Sequence, residues 1–295
     1  MGRKKKELPI VENVTIESVA AEGKSLFKWN DMVVFVPFCV PGDVVDVQIR
    51  KKKHSYCEAE VIRFHKYSAN RVDPMCQHFG LCGGCKWQQL PYEEQIKAKQ
   101  EQVMQQLRRI GHVELPECSP ILGSVKTKEY RNKLEFGCSD KRWLTREEIS
   151  SSTVYDDMNA IGFHISGAFD KILPIEKCWL MDDLHNRIRN CVRDYAKANN
   201  ITFFNIMEQH GLLRDMMLRN SNTGEWMFLI QFGPEMSIPA SEITEEAVRK
   251  KHFDYATAMG LNEHIPEAFP ELTSLPWVYN PTRIATVRER EVNVF

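Results

Sequence analysis

The sequence predicts a small closed β-barrel followed by an α+β domain. Three observations predict it. Residues 8–66 break into short Val-, Ile- and Phe-rich runs at 11–19, 32–36, 43–50 and 57–64, separated by Gly23, Asn30-Asp31 and Pro41-Gly42-Asp43. That is a pattern of strands and turns. Further along, helical and strand periodicities alternate. The length of 295 residues suits about two domains.

In the first run the alternation is clear: Val45, Val47 and Ile49 oppose Asp46, Gln48 and Arg50. Four or five strands in so short a stretch hide their edges by closing into a barrel, placed at residues 8–68 behind a basic tail at 1–7. The basic run Arg50, Lys51, Lys52 and Lys53 falls on a hairpin tip, a place for phosphate contacts. A cysteine-rich loop follows. Pro91 then suits a helix start, Tyr92, Ile96, Val103, Leu107 and Ile110 recur at helical spacing, and Gly111 is the expected stop.

Residues 130–138 alternate, with Leu134, Phe136 and Cys138 on one face and Arg131, Lys133 and Glu135 on the other. Strands are expected at 161–165 and 172–175. Asp182 is expected to cap a helix with the stripe Leu184, Ile188, Cys191 and Tyr195. Strands follow at 201–207, 212–219 and 225–232, the last two joined at Asn222-Thr223-Gly224. Residues 243–259 read as a helix and 272–295 as one or two strands, where Pro276 and Pro281 argue against central positions. The pattern stops in mid-strand at 291–295, so residues 69–295 are read as a domain incomplete at its C-terminal end.

Composition excludes some classes. Hydrophobic residues make up 43% and charged residues 27%, ordinary for a soluble globular protein. No run of about 18 apolar residues suggests a membrane helix, and the basic start has no apolar segment behind it to make a secretory signal. Nine cysteines without such a signal point to a reducing cytoplasm, where clustered thiols bind metal or react. The net charge of −1 is uneven: residues 1–75 carry +3, residues 76–150 carry +2 and residues 151–295 carry −6. The front half therefore suits an anionic partner.

Cys76, Cys82 and Cys85 lie within ten residues, with Gly83-Gly84 between the last two. Glycine lets the chain fold tightly around an inorganic centre. Soft thiolates select zinc, Cu(I) or iron–sulfur clusters. Of the other cysteines, Cys39, Cys57, Cys138 and Cys191 read as small core residues. Cys118 and Cys178 occupy loops, and spacing does not choose between them as a fourth ligand.

Cys76-x5-Cys82-Gly-Gly-Cys85-Lys-Trp-Gln, with Cys178 in Pro-Ile-Glu-Lys-Cys-Trp, resembles the bacterial 23S rRNA uracil-5-methyltransferases. The front barrel, with Val40-Pro-Gly-Asp43, resembles their OB-like TRAM domain. Lys128-Glu-Tyr-Arg-Asn-Lys-Leu-Glu-Phe136 and Ile161-Gly-Phe-His164 resemble their central domain, which holds a cluster and grips RNA. The resemblance implies a [4Fe–4S] cluster on Cys76, Cys82, Cys85 and Cys178, with zinc as the alternative. It implies 23S rRNA as partner; by their place on the hairpin tip, beside the cysteine loop and on the 130–138 strand, Arg50, Lys51, Lys52, Lys53, Trp87, Arg131, Asn132 and Lys133 are the candidate RNA contacts. A cytoplasmic monomer is expected.

Members of that family continue into a Rossmann-like domain that binds S-adenosylmethionine (SAM). Its Gly-x-Gly loop and Ser-Cys-Asn-Pro segment have no counterpart in this sequence. The expectation is therefore an RNA-recognition portion with that domain absent, no catalytic residue, no SAM site and no activity by itself. SAM would serve only a full-length protein. The alternative expectation is a stand-alone RNA-binding module with a four-cysteine metal site. A radical enzyme is disfavoured, because its three close cysteines leave one iron open and a fourth cysteine would fill it.

Overall fold

Residues 10–19 form two successive strands that serve two neighbours, the first interrupted by a bulge at Asn13, where φ is +53°. The first, β1 (Ile10–Thr15), pairs antiparallel with β5 (Val44–Lys52), and the second, β2 (Ser18–Val19), pairs antiparallel with β3 (Lys24–Trp29). Between the two, Ile16 N–H donates to Asp43 O at 2.9 Å and Glu17 N–H to Leu26 O at 2.9 Å. β4 (Met32–Pro37) and β6 (Tyr56–Lys66) complete the sheet in the order β1-β5-β6-β4-β3-β2. Because the two ends of that order are chain neighbours, the sheet curls back on itself. β4 and β6 run parallel and every other pair is antiparallel.

This computed structural model describes residues 8–151, 154–165, 167–236, 253–281 and 293–294. The basic tail at 1–7, residues 243–252 of the expected helix and most of the expected strands after 281 lie outside the described residues. The chain divides into two units, Met1–Thr127 and Lys128–Phe295.

In the first unit Phe27, Val34, Val36, Val45, Val47, Ile49 and Cys57 fill the sheet interior. Val45, Val47 and Ile49 are the inward set of β5, as period 2 requires. The turn before β5 is built on Asp43, which is fully buried. Its carboxylate accepts from Val40 N–H (2.8 Å), Ser68 N–H (2.9 Å) and Arg71 Nη2 (2.7 Å). Gly42 has φ +91°, and a Cβ there would sit 2.9 Å from Ser68 Oγ. Helix α1 (Tyr92–Arg109) follows the cysteine loop, with Gln95 Nε2 donating to Leu90 O at 2.8 Å. No residue of α1 is buried, and Val103, Leu107 and Ile110 of its expected apolar stripe are exposed. Helical spacing identifies an apolar stripe; it does not supply the surface that covers it.

The second unit is built on a seven-stranded sheet in the order β13-β12-β11-β10-β7-β8-β9. The strands are β7 (Lys133–Ser139), β8 (Ala160–Ile165), β9 (Ala168–Pro174), β10 (Leu213–Asn220), β11 (Trp226–Phe232), β12 (Pro276–Tyr279) and β13 (Asn293–Val294). Only β11 and β12 are parallel. Leu134, Phe136, Cys138, Met216, Leu218, Phe228 and Ile230 are buried. Helix α3 (Leu184–Ala198) buries Leu184, Ile188, Val192 and Ala196, after the short helix α2 (Arg146–Ser150). The residue that precedes α3 is Asp183, which makes no side-chain capping bond; Asp182, expected as the cap, lies one residue earlier, and its Oδ1 accepts from Leu184 N–H at 3.1 Å. Helix α4 runs over Tyr255–Ala268, and Asp254 accepts from Thr257 N–H at 3.1 Å. Residues 260–268 thus continue a helix that the pattern ends at 259, because Pro266 disguises its last turn.

Both sheets are mixed. Alternation marks strands but not their direction, so pattern reading did not resolve this.

Candidate functional site

The cysteine loop is a run of tight turns. Phe79 N–H donates to Cys76 O (3.0 Å), and Leu81 and Cys82 N–H both donate to His78 O (3.1 and 3.2 Å). Gly80 and Gly83 take φ +86° and +73°, and neither has a heavy atom within 4 Å of an added Cβ. Gln88 Oε1 accepts from Cys76 N–H at 3.1 Å. All three loop thiols are partly exposed. Burial raises the Cys76 thiol above its ordinary value, and the nearby Cys82 adds to the rise.

Cys178, in the second unit, is buried. Its backbone is held by Asn186, whose Oδ1 accepts from Cys178 N–H (2.8 Å) and whose Nδ2 donates to Cys178 O (3.2 Å). The buried Arg189 donates to Asn186 Oδ1 (3.0 Å), Ile175 O (3.1 Å) and Glu176 O (2.8 Å), pinning the same loop. The donor set has the chemistry of a soft metal or cluster. Among the described residues, no group of three or more His, Cys, Asp or Glu is arranged to hold a metal ion.

The other thiols divide by burial. Cys39 is pushed up to about 12 by burial and by Asp43, and burial raises Cys138 well above the ordinary value. Thiolates are the reactive form, so these two serve as core residues. Cys191 lies 3.6 Å from His264 Nε2, and Cys118 is exposed.

The basic run at the β5 tip is partly neutralised across the hairpin. Arg50 pairs with Glu60 at 2.8 Å, Lys51 with Glu58 at 3.7 Å, and Lys52 sits 5.9 Å from the Trp29 ring centroid. Lys53 is exposed at the turn. Trp87 lies against Gly23, where an added Cβ would be 3.1 Å from its ring, and Lys99 Nζ is 5.8 Å from its centroid. In the second unit Arg131 and Asn132 are exposed, and Lys133 pairs with Glu135 at 2.7 Å. The sequence reading missed Trp179, which has Lys177 Nζ at 4.2 Å and Lys128 Nζ at 5.4 Å from its centroid. The Lys-Cys-Trp run at 177–179 was the available signal; the approach of Lys128 was not visible.

The structure matches that of Pyrococcus abyssi tRNA (uracil-54, C5)-methyltransferase in complex with S-adenosyl-L-homocysteine, with a TM-score of 0.59 and 19% identity, over 96% of this chain and 55% of that one. No protein-family model matches the chain. It is 52% identical over 277 residues to an uncharacterized RNA methyltransferase of Bacteroides thetaiotaomicron, covering 94% of this chain and 58% of that protein. It is 39% identical over 287 residues to one of Porphyromonas gingivalis, covering 95% of this chain and 57% of that protein. The chain thus spans little more than half the length of these curated relatives.

These findings correct the sequence reading. It set the chain apart as a barrel and α+β domain with the catalytic domain absent; the structure, built on two mixed sheets, instead matches that of the tRNA (uracil-54, C5)-methyltransferase over 96% of this chain and 55% of that one. The reading as a portion without catalytic residues, or as a stand-alone binding module, is likewise overturned by relatives named RNA methyltransferases that match over 94% of this chain, and they give the expectation of an inactive chain no support. The physical reason is that burial and strand pairing set a fold, whereas short signature loops do not. No helix among the described residues is long and apolar enough to cross a membrane.

Proposed function

We propose that this chain belongs to the RNA methyltransferases that act at C5 of uridine, with SAM as methyl donor and 23S rRNA as substrate. The observation that carries the reading is the 52% identity over 277 residues to a protein named an RNA methyltransferase. The fold shared with a uracil-C5 enzyme supports the choice of atom. C5 of uracil is a weak nucleophile. The family answers this with a thiolate that adds to C6 and makes an enolate, splitting one hard step into easier ones. The target base must leave its stack to be reached.

The proposed RNA contacts are Arg50, Lys51, Lys52, Lys53, Trp87, Arg131, Asn132 and Lys133, with residues 8–68 as an RNA-binding barrel in a cytoplasmic monomer. Exposed Arg131 and Asn132 are the best presented of these, since Arg50, Lys51 and Lys133 each have an acidic neighbour. Cys76, Cys82, Cys85 and Cys178 are proposed as ligands of a [4Fe–4S] cluster with a structural role, supported by donor chemistry and by the turn-rich loop. Anaerobically purified protein that is colourless, with zinc and no iron, would sink the cluster.

The test of function is nucleoside mass spectrometry of 23S rRNA from a strain lacking the gene, before and after incubation with the protein and SAM. The reading requires 5-methyluridine to appear only with both. Methylation at cytosine, adenine or ribose contradicts it.

A further inference from the structure

Trp179 is partly exposed and carries two ammonium groups close to its ring, Lys177 at 4.2 Å and Lys128 at 5.4 Å from the centroid. Their approach is fixed by backbone. Glu129 N–H donates to Trp179 O and Arg131 N–H to Leu180 O, both at 2.7 Å. The segment after Lys128 is therefore laced along the segment after Lys177, which brings exposed Tyr130 and Arg131 to the same edge. Lys177 also meets Asp183 at 3.4 Å, whereas Lys128 has no ion pair among the described residues. A core tryptophan needs no such cations, and an ion-pairing lysine needs no ring. One ring with two lysines is the composition that holds a single nucleotide: a face for the base and charge for its phosphates.

We propose that Trp179 is a stacking site for an unpaired RNA base, with Lys128 and Lys177 taking the phosphates that flank it. This rests on the RNA methyltransferase reading above. An ammonium over an exposed ring is held less strongly than a stacked base, so an incoming base displaces the lysines toward the backbone. The site reads no base identity, because every base has a π-face. It grips single strands and ignores duplexes, whose faces are already stacked.

The test is fluorescence anisotropy of the full chain with a 5′-fluorescein, uridine-rich single-stranded 12-mer, and with a duplex of the same sequence. W179A should weaken single-strand binding roughly 5- to 100-fold and leave duplex binding unchanged, while W179F retains most of the affinity. K128A/K177A should lower the slope of log affinity against log salt by roughly 1.4, the share of two phosphate contacts on a single strand. If wild type binds and W179A binds equally well, the site is wrong and the RNA reading stands. If wild type binds no RNA, the RNA reading falls and takes the site with it. Should W179A fail to fold, an unchanged salt slope in K128A/K177A overturns the proposal.

Discussion

Replacing Asp43 with alanine removes the acceptor on which the first unit turns its chain. Its carboxylate is fully buried and takes four hydrogen bonds, from Val40 N–H, Ser68 N–H and two Arg71 nitrogens, the second of these at 3.3 Å. Without it the Arg71 guanidinium keeps Phe38 O at 2.9 Å but loses its counter-charge. Breaking a buried ion pair costs about 3–5 kcal/mol. The Arg71 side chain is 18% exposed and can recruit water, so the lower end, about 3 kcal/mol, is the expectation. A tenfold change in an equilibrium is about 1.4 kcal/mol, so the most protected β5 amides should exchange roughly a hundredfold faster. Hydrogen-exchange mass spectrometry on peptides from β5 reads this without interference from the second unit. The double cycle with R71A should show coupling of at least about 1 kcal/mol. An acceleration below about threefold in D43A refutes the reasoning that Asp43 clamps the turn.

Further expectations follow from the same physics. Burial lowers buried His185 from 6.5 to about 4, so its neutral form is the native one. The unfolded chain takes up the proton first; the stability His185 contributes is full above about 6.5 and is lost as pH falls through about 4. Acid denaturation of the second unit should show this loss, of about 3 kcal/mol, and H185Q should flatten it; a profile identical to wild type excludes His185 as the source. G162A should destabilise by at least about 1–3 kcal/mol, because an added Cβ would lie 1.9 Å from Leu173 O; a melting temperature within a degree of wild type contradicts that packing. R131A/K133A should weaken RNA binding and flatten its salt dependence, with most of the effect from Arg131, since Lys133 is held by Glu135; equal losses from the two single variants would show that the pairing does not matter. C82S should abolish the iron content and the broad visible absorbance of anaerobically purified protein, and an iron-loaded C82S variant removes Cys82 as a ligand.

Much of this was legible in the sequence, unevenly. Val45, Val47 and Ile49 alternate against polar neighbours, and burial follows that alternation in β5. The start of α3 was readable to within a residue, because the turn Asp182 makes onto Leu184 N–H is a local hydrogen bond. The extent of α4 was not, since Pro266 breaks the helical signal while the surrounding core, Leu261 and Ile265, holds the helix together. The apolar stripe of α1 was visible, but what covers it is a tertiary matter. The cysteine loop announced itself through glycine and spacing. Trp179 did not, because Lys128 reaches it through a backbone pairing across about fifty residues, which no local pattern encodes. The expectation of an absent domain rested on missing signature loops, which say less about a fold than burial and pairing do.

Methyl transfer to C5 of uridine is the proposed activity. Its most direct measurement is tritium release from 23S rRNA transcribed with [5-³H]uridine and incubated with the protein and SAM. C5 methylation must expel the C5 hydrogen, so one tritium should be released to water for each methyl group incorporated. Methyl incorporation without tritium release would contradict it.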